Sequence, residues 1–538
     1  MRLSSLSTLV AAVALAASAA PVSASADAGP LPDHPQNPVV TGQGSAAEQA
    51  LAAVQAAFAG ENGARARAAG PGSPGRDLTM QLLQLRLGFD DLSPAEQQVA
   101  RPYLARPTDG DEYYGANYGK GARPTNDCKP RFATPSSNVC VHWARKTTDR
   151  PPMKDSDGDG IPNQVEKTRD TMNLVWSREV DSGGYKAPLP DTKGPDSKLD
   201  VYLVNIGDKG LYGYCGSENV GQSRAAAAYC VLDNNYSHRE FPAHTPLENL
   251  QVTAAHEFFH AVQFAYDVRE DPWLMESTAT WMEDEIFDDV NDNRGYLPYS
   301  IMRHPEKPLD SSYPYYYGDW IWWRYLTEKF PQEQGTGLPV FVRDVWEYAD
   351  NSGYSGTYSM KALEQALTDR STDLSQVLAD FGADNRNPAA VYEEGDAYKK
   401  AKPSAAYTLT ADKHKVREQT IKLPHLSNTT AVFKPDASYS NGAWLLQLDV
   451  DLPGSVHEPH AQATVFLTDG TTQRQAFTLG GDGTGSLEVP FSSATVKRVE
   501  LTLTDGDHTY DCKQATSWSC HGTPDKQRPF SYSASAVQ

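Results

Sequence analysis

The feature that most restricts the fold is an apolar stretch without proline or glycine, 252–264, that contains His256, Glu257 and His260. Such a stretch predicts an α-helix. Histidines at positions i and i+4 lie on one helix face, so both imidazoles can reach one metal ion, and Glu257 points toward the same side. The pattern predicts a zinc site with His256 and His260 as ligands and Glu257 beside a metal-bound water.

This arrangement is typical of a hydrolase. Zinc lowers the pKa of its bound water from about 15.7 to about 7, and a neighbouring carboxylate can take up the remaining proton during attack on a carbonyl. Two histidines leave the ligand set incomplete. The metzincin continuation, which needs glycine and histidine, is excluded because Gln263 and Tyr266 occupy those positions.

A second helix is expected after the break at Asp271-Pro272, in the segment Trp273–Trp281. This segment resembles the WLxEGxA motif of the gluzincin metallopeptidases, in which the glutamate is the third zinc ligand. The resemblance implies Glu276 as that ligand here, with one position left open for water. Glu283 lies seven residues further along the same face and is the competing ligand. Thr280 stands where thermolysin has the aspartate that orients a histidine.

The segment Tyr315-Tyr316-Tyr317-Gly318 precedes an apolar stretch, 320–330. It resembles the YxxG segment of aminopeptidase-type gluzincins, whose tyrosine hydroxyl donates to the developing oxyanion. The resemblance implies Tyr315 as this catalytic donor. Packing of the tyrosine cluster in a core is the alternative interpretation.

From Asp77 onward the chain also resembles a little-characterised family of secreted bacterial zinc metalloproteases, on the strength of the HExxH and WLxE pair. The GxMEN signature of aminopeptidases is absent upstream of His256, so an endopeptidase that acts on proteins or peptides is favoured. The strand expected at Leu199–Ile206 is a candidate edge for pairing with an extended peptide. A non-catalytic binding protein on a degenerate core, and a zinc hydrolase of another amide or ester, are the alternatives.

A second metal site is predicted at 155–166, which matches the calcium loop D-x-[DN]-x-[DN]-G-x5-E at every fixed position. Pro151 and Pro152 argue against an incoming helix, whereas the apolar residues that follow favour an outgoing one. We therefore expect a structural half EF-hand rather than a sensor. The expected ligands are carboxylates at alternate positions, one carbonyl, one water-linked amide and a bidentate glutamate: Asp155, Asp157, Asp159, Ile161, Asn163 and Glu166.

The domain organisation follows from shifts in composition. Residues 1–26 are typical of a signal peptide that is cleaved after Ala26, which predicts a secreted protein. Residues 27–120 contain a Gly/Pro-rich linker and two expected helices, and are either a propeptide or an attached subdomain. Residues 121–402 are predicted to form the metallopeptidase core, and residues 403–538 are predicted to form a β-sandwich. The predicted fold class is α+β.

The cysteines and the net charge limit the environment and the partners. Six cysteines fall in three close couples, Cys128 with Cys140, Cys215 with Cys230 and Cys512 with Cys520, for which local disulfides are the simplest pairing. A formal charge of -21 disfavours nucleic acid and anionic membranes. No later stretch is long and apolar enough to span a membrane, and we expect a monomer.

Overall fold

The computed structural model describes residues 45–59, 78–110, 118, 122–129, 137–194, 196–218, 220, 223–334, 337–354, 356–508 and 527–538. The expected signal peptide with its cleavage after Ala26 and the couple Cys512 and Cys520 lie outside these residues. The segment 27–76, part of which was expected to be a linker, is described at 45–59, where it forms the helix Ala46–Phe58. The described chain contains helices and several β-sheets. The prediction of a mixed α+β protein is therefore confirmed.

The helices and strands follow in chain order. The helices are α1 Ala46–Phe58, α2 Leu78–Leu87, α3 Pro94–Leu104, α4 Asn163–Trp176, α5 Pro246–Tyr266, α6 Pro272–Phe287, α7 Tyr315–Gly318, α8 Trp320–Lys329, α9 Val340–Tyr348, α10 Met360–Thr368 and α11 Leu374–Asp384. The strands are β1 Pro124–Asn126, β2 Val139–Ala144, β3 Leu199–Val204, β4 Gly213–Ser217, β5 Ala228–Asp233, β6 Glu333–Gln334, β7 Leu338–Pro339, β8 Ala405–Leu409, β9 Lys415–Leu423, β10 Ser427–Pro435, β11 Leu445–Asp451, β12 Pro459–Leu467, β13 Thr472–Ala476, β14 Thr484–Pro490, β15 Val496–Asp505 and β16 Arg528–Val537.

Five strands in the order β1-β2-β3-β5-β4 form a sheet beside the predicted metal site. Strands β2, β3 and β5 are parallel, whereas β1 and β4 run antiparallel to their neighbours at the two edges. The prediction that Leu199–Ile206 is an edge strand is wrong, because β3 pairs with β2 on one side and β5 on the other. The edge nearest the metal site is β4, which packs on α5 and α2.

Helices cover both faces of this sheet, as the alternation of side chains along its strands requires. Tyr202, Val204 and Val231 pack with buried residues of α1, α2 and α3 on one face. Val201 and Leu203 pack with α4 and α5 on the other face. The N-terminal helices are therefore one layer of a three-layer arrangement.

A buried arginine ties this N-terminal layer to the sheet. Arg106 follows α3, and its guanidinium lies 2.7 Å from both Asp191 Oδ1 and Asp200 Oδ2 and also bonds Glu218. Their side chains are at most 2% exposed. Asp200 also accepts a 2.8 Å contact from His142 on β2. Each of the three buried carboxylates thus bonds the Arg106 guanidinium, which reduces the cost of burying their charges.

The C-terminal part contains a sheet of five strands, β13-β12-β15-β10-β8, and a sheet of four, β14-β11-β16-β9. Apolar residues of both sheets share one core. Helix α11 packs on the five-stranded sheet. Next to it, the guanidinium Nε of Arg386 lies 2.5 Å from Glu500 Oε2, with both side chains nearly buried.

Two disulfides, Cys128–Cys140 and Cys215–Cys230, confirm the local pairing that was predicted for these couples. The second one joins residues that face each other in β4 and β5. None of the helices in the described part of the chain has the length and hydropathy that a membrane crossing needs.

Candidate metal centre

Helix α5 places the two predicted histidine ligands deep in the protein. It begins with a capping box, in which Thr245 and Glu248 bond each other's backbone N–H groups, and with Pro246 at the first helical position. From the second turn onward almost every residue is buried, because the sheet, α4 and α6 pack around it. His256 and His260 are 3% and 0% exposed, so their imidazoles contact one another and α6 instead of solvent.

Helix α6 supplies the third predicted ligand. The helix begins at Pro272 after the N-cap Asp271, as the break in the sequence predicted, and it packs along α5. The short connection is fixed by Ser359, whose backbone N–H donates to Glu270 and whose hydroxyl donates to Asp271. Glu276 is consequently directed at the histidine pair and is fully buried.

The ligand atoms of these residues converge. Nε2 of His256 lies 3.1 Å from Nε2 of His260. Oε2 of Glu276 is 3.2 Å from the first of these nitrogens, and Oε1 is 3.7 Å from the second. Ligands bound tetrahedrally at about 2.0–2.1 Å from zinc stand about 3.3 Å apart, so the spacing fits one such ion.

The surroundings of Glu276 favour a bound cation. Both of its oxygens are buried and neither has a hydrogen-bond partner of good geometry. A buried carboxylate without donors is costly unless a positive charge neutralises it. The donor set, two imidazole nitrogens and one carboxylate, is one that zinc accepts.

The outer nitrogens of both imidazoles are held by polar side chains. Glu283 Oε1 lies 2.8 Å from Nδ1 of His256, and Gln263 Oε1 lies 2.7 Å from Nδ1 of His260. Gln263 donates its amide to Met275 O, which fixes its oxygen as the acceptor. Both Nδ1 atoms therefore carry the proton, and both Nε2 lone pairs are directed at the metal position.

Sequence reasoning had assigned these two orienting residues differently. Glu283 was the competing ligand, yet it lies on the Nδ1 side of His256, away from the converging Nε2 atoms. In the sequence, Gln263 only excludes the metzincin pattern. Its position three residues after His260, on the same helix face, is the sequence feature that indicates a contact between the two side chains.

The surroundings of His256 and His260 determine how many protons the two imidazoles hold. Burial alone lowers the pKa of His256, but the carboxylates of Glu276 and Glu283 outweigh it and raise this pKa to about 10. Burial lowers the pKa of His260 to about 4 despite the nearby charge of Glu276. Without metal, the pair therefore holds one extra proton at neutral pH, in the place that a cation would take.

Glu257, the predicted base, lies beside this centre. It is 3% exposed, and with His256, Thr253 and Tyr212 it lines a cavity of about 10 Å³. That volume is close to the space of one water molecule. Tyr212 is the one partly exposed residue among these four.

The predicted oxyanion donor lies apart from the histidines. Tyr315 is half-buried, and its ring contacts His304 and lies under the ammonium of Lys307. Among the described residues it makes no hydrogen bond or ring contact with the histidine pair. The nearest tyrosine of the cluster is Tyr317, which is buried and stacks on His256 with ring centroids 6.1 Å apart.

The structure places some of the predicted calcium ligands close together. The carboxylates of Asp155, Asp157 and Asp159 lie close enough to hold one ion and are exposed. Asp155 accepts from Gly158 N and Gly160 N, which are in the left-handed region with φ of 80° and 91°. Glycine adopts this conformation without strain.

The other predicted ligands of this loop occupy the start of α4. Burial raises the pKa of Glu166, and the charges of Asp157 and Asp159 raise it further, so these carboxylates face a common region. The side-chain oxygen of Asn163 accepts from Ser156 N at 2.9 Å. Ile161, just before this helix, is fully buried, and its backbone N–H donates to Asp159 Oδ1 at 2.7 Å.

Two further groups of His, Cys, Asp and Glu side chains lie close together, but both contain Cys140. This cysteine is in a disulfide with Cys128 and has no thiolate for a metal. Within the described residues, the histidine pair with Glu276 and the acidic loop are thus the groups whose chemistry suits a metal.

Comparisons with known proteins give no family. No protein-family model matches the chain, and no curated protein matches it. Among solved structures, a pre-peptidase C-terminal domain of a collagenase from Bacillus anthracis is 9% identical over 26% of this chain and 100% of that domain, with a TM-score of 0.15.

Two glycosidases show similarly low similarity. A β-glucosidase from Paenibacillus barengoltzii is 17% identical over 24% of this chain and 11% of its own, with a TM-score of 0.11. A 4-O-methyl-α-glucuronidase with specificity for decorated arabinogalactans is 10% identical over 66% of this chain and 53% of its own, with a TM-score of 0.14. At these TM-scores none of the three structures carries an argument about this chain.

Proposed function

We propose that the protein is a secreted, zinc-dependent endopeptidase with a gluzincin-like core followed by a β-sandwich. The observation that carries the proposal is the convergence of both Nε2 atoms on the buried carboxylate of Glu276, next to a water-sized cavity that Glu257 lines. His256, His260 and Glu276 would hold the ion. Two disulfides support an oxidising, extracellular environment.

The mechanism follows from the roles of these residues. A zinc ion held by His256, His260 and Glu276 would supply a Lewis acid for the scissile carbonyl and would lower the pKa of water. Glu257 takes the proton of the attacking water in the adjacent cavity and passes it to the amine that leaves. Glu283 and Gln263 keep the imidazoles in the ligand tautomer.

Substrate entry requires a change in the wall of the site. A cavity of about 10 Å³ holds a water and not a peptide, so the partly exposed Tyr212 side must open when substrate binds. The edge strand β4 lies beside α5, and all five of its residues are buried. The reason to propose a protein or peptide as the substrate is the resemblance of the HExxH and WLxE segments to those of the gluzincin metallopeptidases.

The calcium loop has a structural role in this proposal. Asp155, Asp157 and Asp159, together with Glu166, would bind Ca²⁺ at the entry to α4 and remove the repulsion among their charges. Helix α4 packs directly on α5, so an ordered loop supports the helix that contains the histidines.

The proposal is tested with wild type, Glu257→Gln and His260→Ala, each purified and analysed for zinc and for cleavage of a peptide library. We expect about one zinc per chain in wild type and Glu257→Gln and its loss in His260→Ala. Glu257→Gln should lower turnover by about 100-fold or more, because the general base is removed. Wild-type rates in Glu257→Gln, or full zinc in His260→Ala, would refute the mechanism or the site.

A further inference from the structure

A threonine of the N-terminal layer bonds the residue proposed as the general base. Thr79, in the first turn of α2, is fully buried, and its hydroxyl donates to Glu257 Oε2 at 2.8 Å. The Thr79 hydroxyl oxygen, Oγ1, in turn accepts the backbone N–H of Cys215 on β4 at 3.0 Å. Helix α2, the edge strand and the metal-site helix thus meet at one hydroxyl group.

The direction of these bonds is fixed. A hydroxyl has one proton, and the N–H of Cys215 can only donate, so the proton of Thr79 must go to Glu257. A hydroxyl that donates to a carboxylate makes a charge-assisted bond and restricts the orientation of that carboxylate. Here the restricted carboxylate lines the cavity beside His256.

The threonine itself is held firmly. Leu78 and Leu82 on α2 are buried in the core on one side of the sheet, and Met80 and Leu83 in the core on the other. On β4, the disulfide from Cys215 to Cys230 fixes the backbone that donates to Thr79. Rigid support of this kind is what an acid-base residue needs to stay in a productive geometry.

We infer that Thr79 is a positioning residue for Glu257, and that the N-terminal helical layer is therefore part of the catalytic unit. The inference rests on the proposed function and adds a residue that lies 178 positions away from Glu257 in the sequence. Thr79 touches neither the substrate nor the metal and acts through Glu257. The opposite outcome of the test would be that Thr79 inhibits the enzyme, because its hydrogen bond blocks the base Glu257 until that bond is released.

The experiment compares zinc-loaded wild type, Thr79→Val and Thr79→Ser on a peptide that the wild type cleaves. Valine keeps the shape and removes the hydroxyl, whereas serine keeps the hydroxyl. We expect Thr79→Val to lower kcat by about 10-fold or more, with KM and zinc content unchanged, and Thr79→Ser to recover most of kcat. If Thr79→Val does not fold, Thr79→Ala takes its place with the same expectation.

A second measurement does not depend on turnover. In the metal-free proteins, thermal unfolding of wild type, Thr79→Val, Glu257→Met, which has no oxygen to accept the bond, and the double variant gives a double-mutant cycle. We expect the Tm loss of the double variant to be smaller than the sum of the two single losses, because both changes break the same bond. Additive losses would overturn the inference.

The outcomes separate this inference from the proposed function. If wild type cleaves peptides, Glu257→Gln does not, and Thr79→Val has wild-type or higher kcat, the positioning role is wrong while the proposed function stands. Equal kcat losses in Thr79→Ser and Thr79→Val would likewise refute it. If wild type cleaves no peptide, the proposed function fails and the positioning role fails with it.

Discussion

At the scale of single residues, the two glutamates of α6 have separate roles although they share one helix face. Glu276 faces the Nε2 atoms, whereas Glu283 bonds Nδ1 of His256. We expect Glu276→Gln to lose stoichiometric zinc. Glu283→Gln should keep one zinc per chain with affinity weakened by about 10- to 100-fold, as is typical of residues that orient a ligand. Competition titration with a zinc chelator measures both, and the reverse order would make Glu283 the ligand.

Metal binding should depend on pH in a defined direction. The extra proton sits on His256, whose pKa is raised to about 10, whereas burial holds the pKa of His260 down at about 4. At pH 7 a metal must displace the proton on His256, so zinc affinity should rise with pH by up to about tenfold per unit. Calorimetry in buffers of different ionisation enthalpy counts the released protons. Zero protons at pH 7 would contradict this assignment.

The two tyrosines form a matched pair of variants. Tyr317 stacks on His256, whereas Tyr315 lies against His304 and Lys307. We expect Tyr317→Phe to lower kcat by about 100-fold, the usual cost of losing an oxyanion donor. Tyr315→Phe should stay near the wild-type kcat. The opposite result would restore Tyr315 as the donor that the family resemblance implies.

At the scale of elements, the start of α4 should respond to calcium. Glu166 lies in the first turn of this helix, close to the charges of Asp157 and Asp159. Calcium at about 100 times its Kd should stabilise the fold by about 3 kcal/mol, and EGTA should remove this gain. Glu166→Gln should abolish it, whereas Asp170→Asn, whose side chain is 69% exposed outside the loop, should not. Equal Tm values with calcium and EGTA would show an acidic turn without an ion.

Local signals in the sequence predicted the centre of α5 and the start of α6. The apolar stretch 252–264 lies within α5, and the break at Asp271-Pro272 precedes α6. The histidine pair needs only the period of one helix. Such features depend on neighbours within a few residues, which a single sequence displays.

What the sequence could not predict depends on contacts between distant segments. Strand order made β3 central and β4 the edge, and no local pattern encodes that order. The bond between Thr79 and Glu257 joins residues 178 positions apart. The resemblance implies Tyr315 as the donor, whereas Tyr317 is the tyrosine whose ring contacts His256, because a motif transferred by resemblance does not fix which side of a short helix meets the site.

At the scale of the whole molecule, the N-terminal layer is joined to the sheet by both apolar and charged contacts. Tyr202, Val204 and Val231 on the sheet would face water without α1 to α3. Exposed aromatic and branched side chains of this kind destabilise a soluble domain. The layer therefore belongs to the folded unit, and the charged contact at Arg106 gives a way to test how strongly it is attached.

Arg106→Met should destabilise the protein by about 3–5 kcal/mol, because it leaves Asp191, Asp200 and Glu218 buried without their cation. Arg145→Met, at an exposed position, is the control and should have little effect. Chemical denaturation measures both changes in the free energy of unfolding.

The pH dependence of this loss gives a second, independent reading. Burial favours the neutral form of Asp191, but the bond from Arg106 lowers its pKa below the ordinary value. A lowered pKa contributes stability above the unfolded-state pKa, and that stability is lost as pH falls through the folded-state value. In Arg106→Met, Asp191 loses this bond, burial then raises its pKa, and the variant gains stability as pH falls through that raised value. The difference between wild type and Arg106→Met should therefore narrow from pH 7 toward pH 5, and a constant difference would show that lost packing, not buried charge, causes the destabilisation.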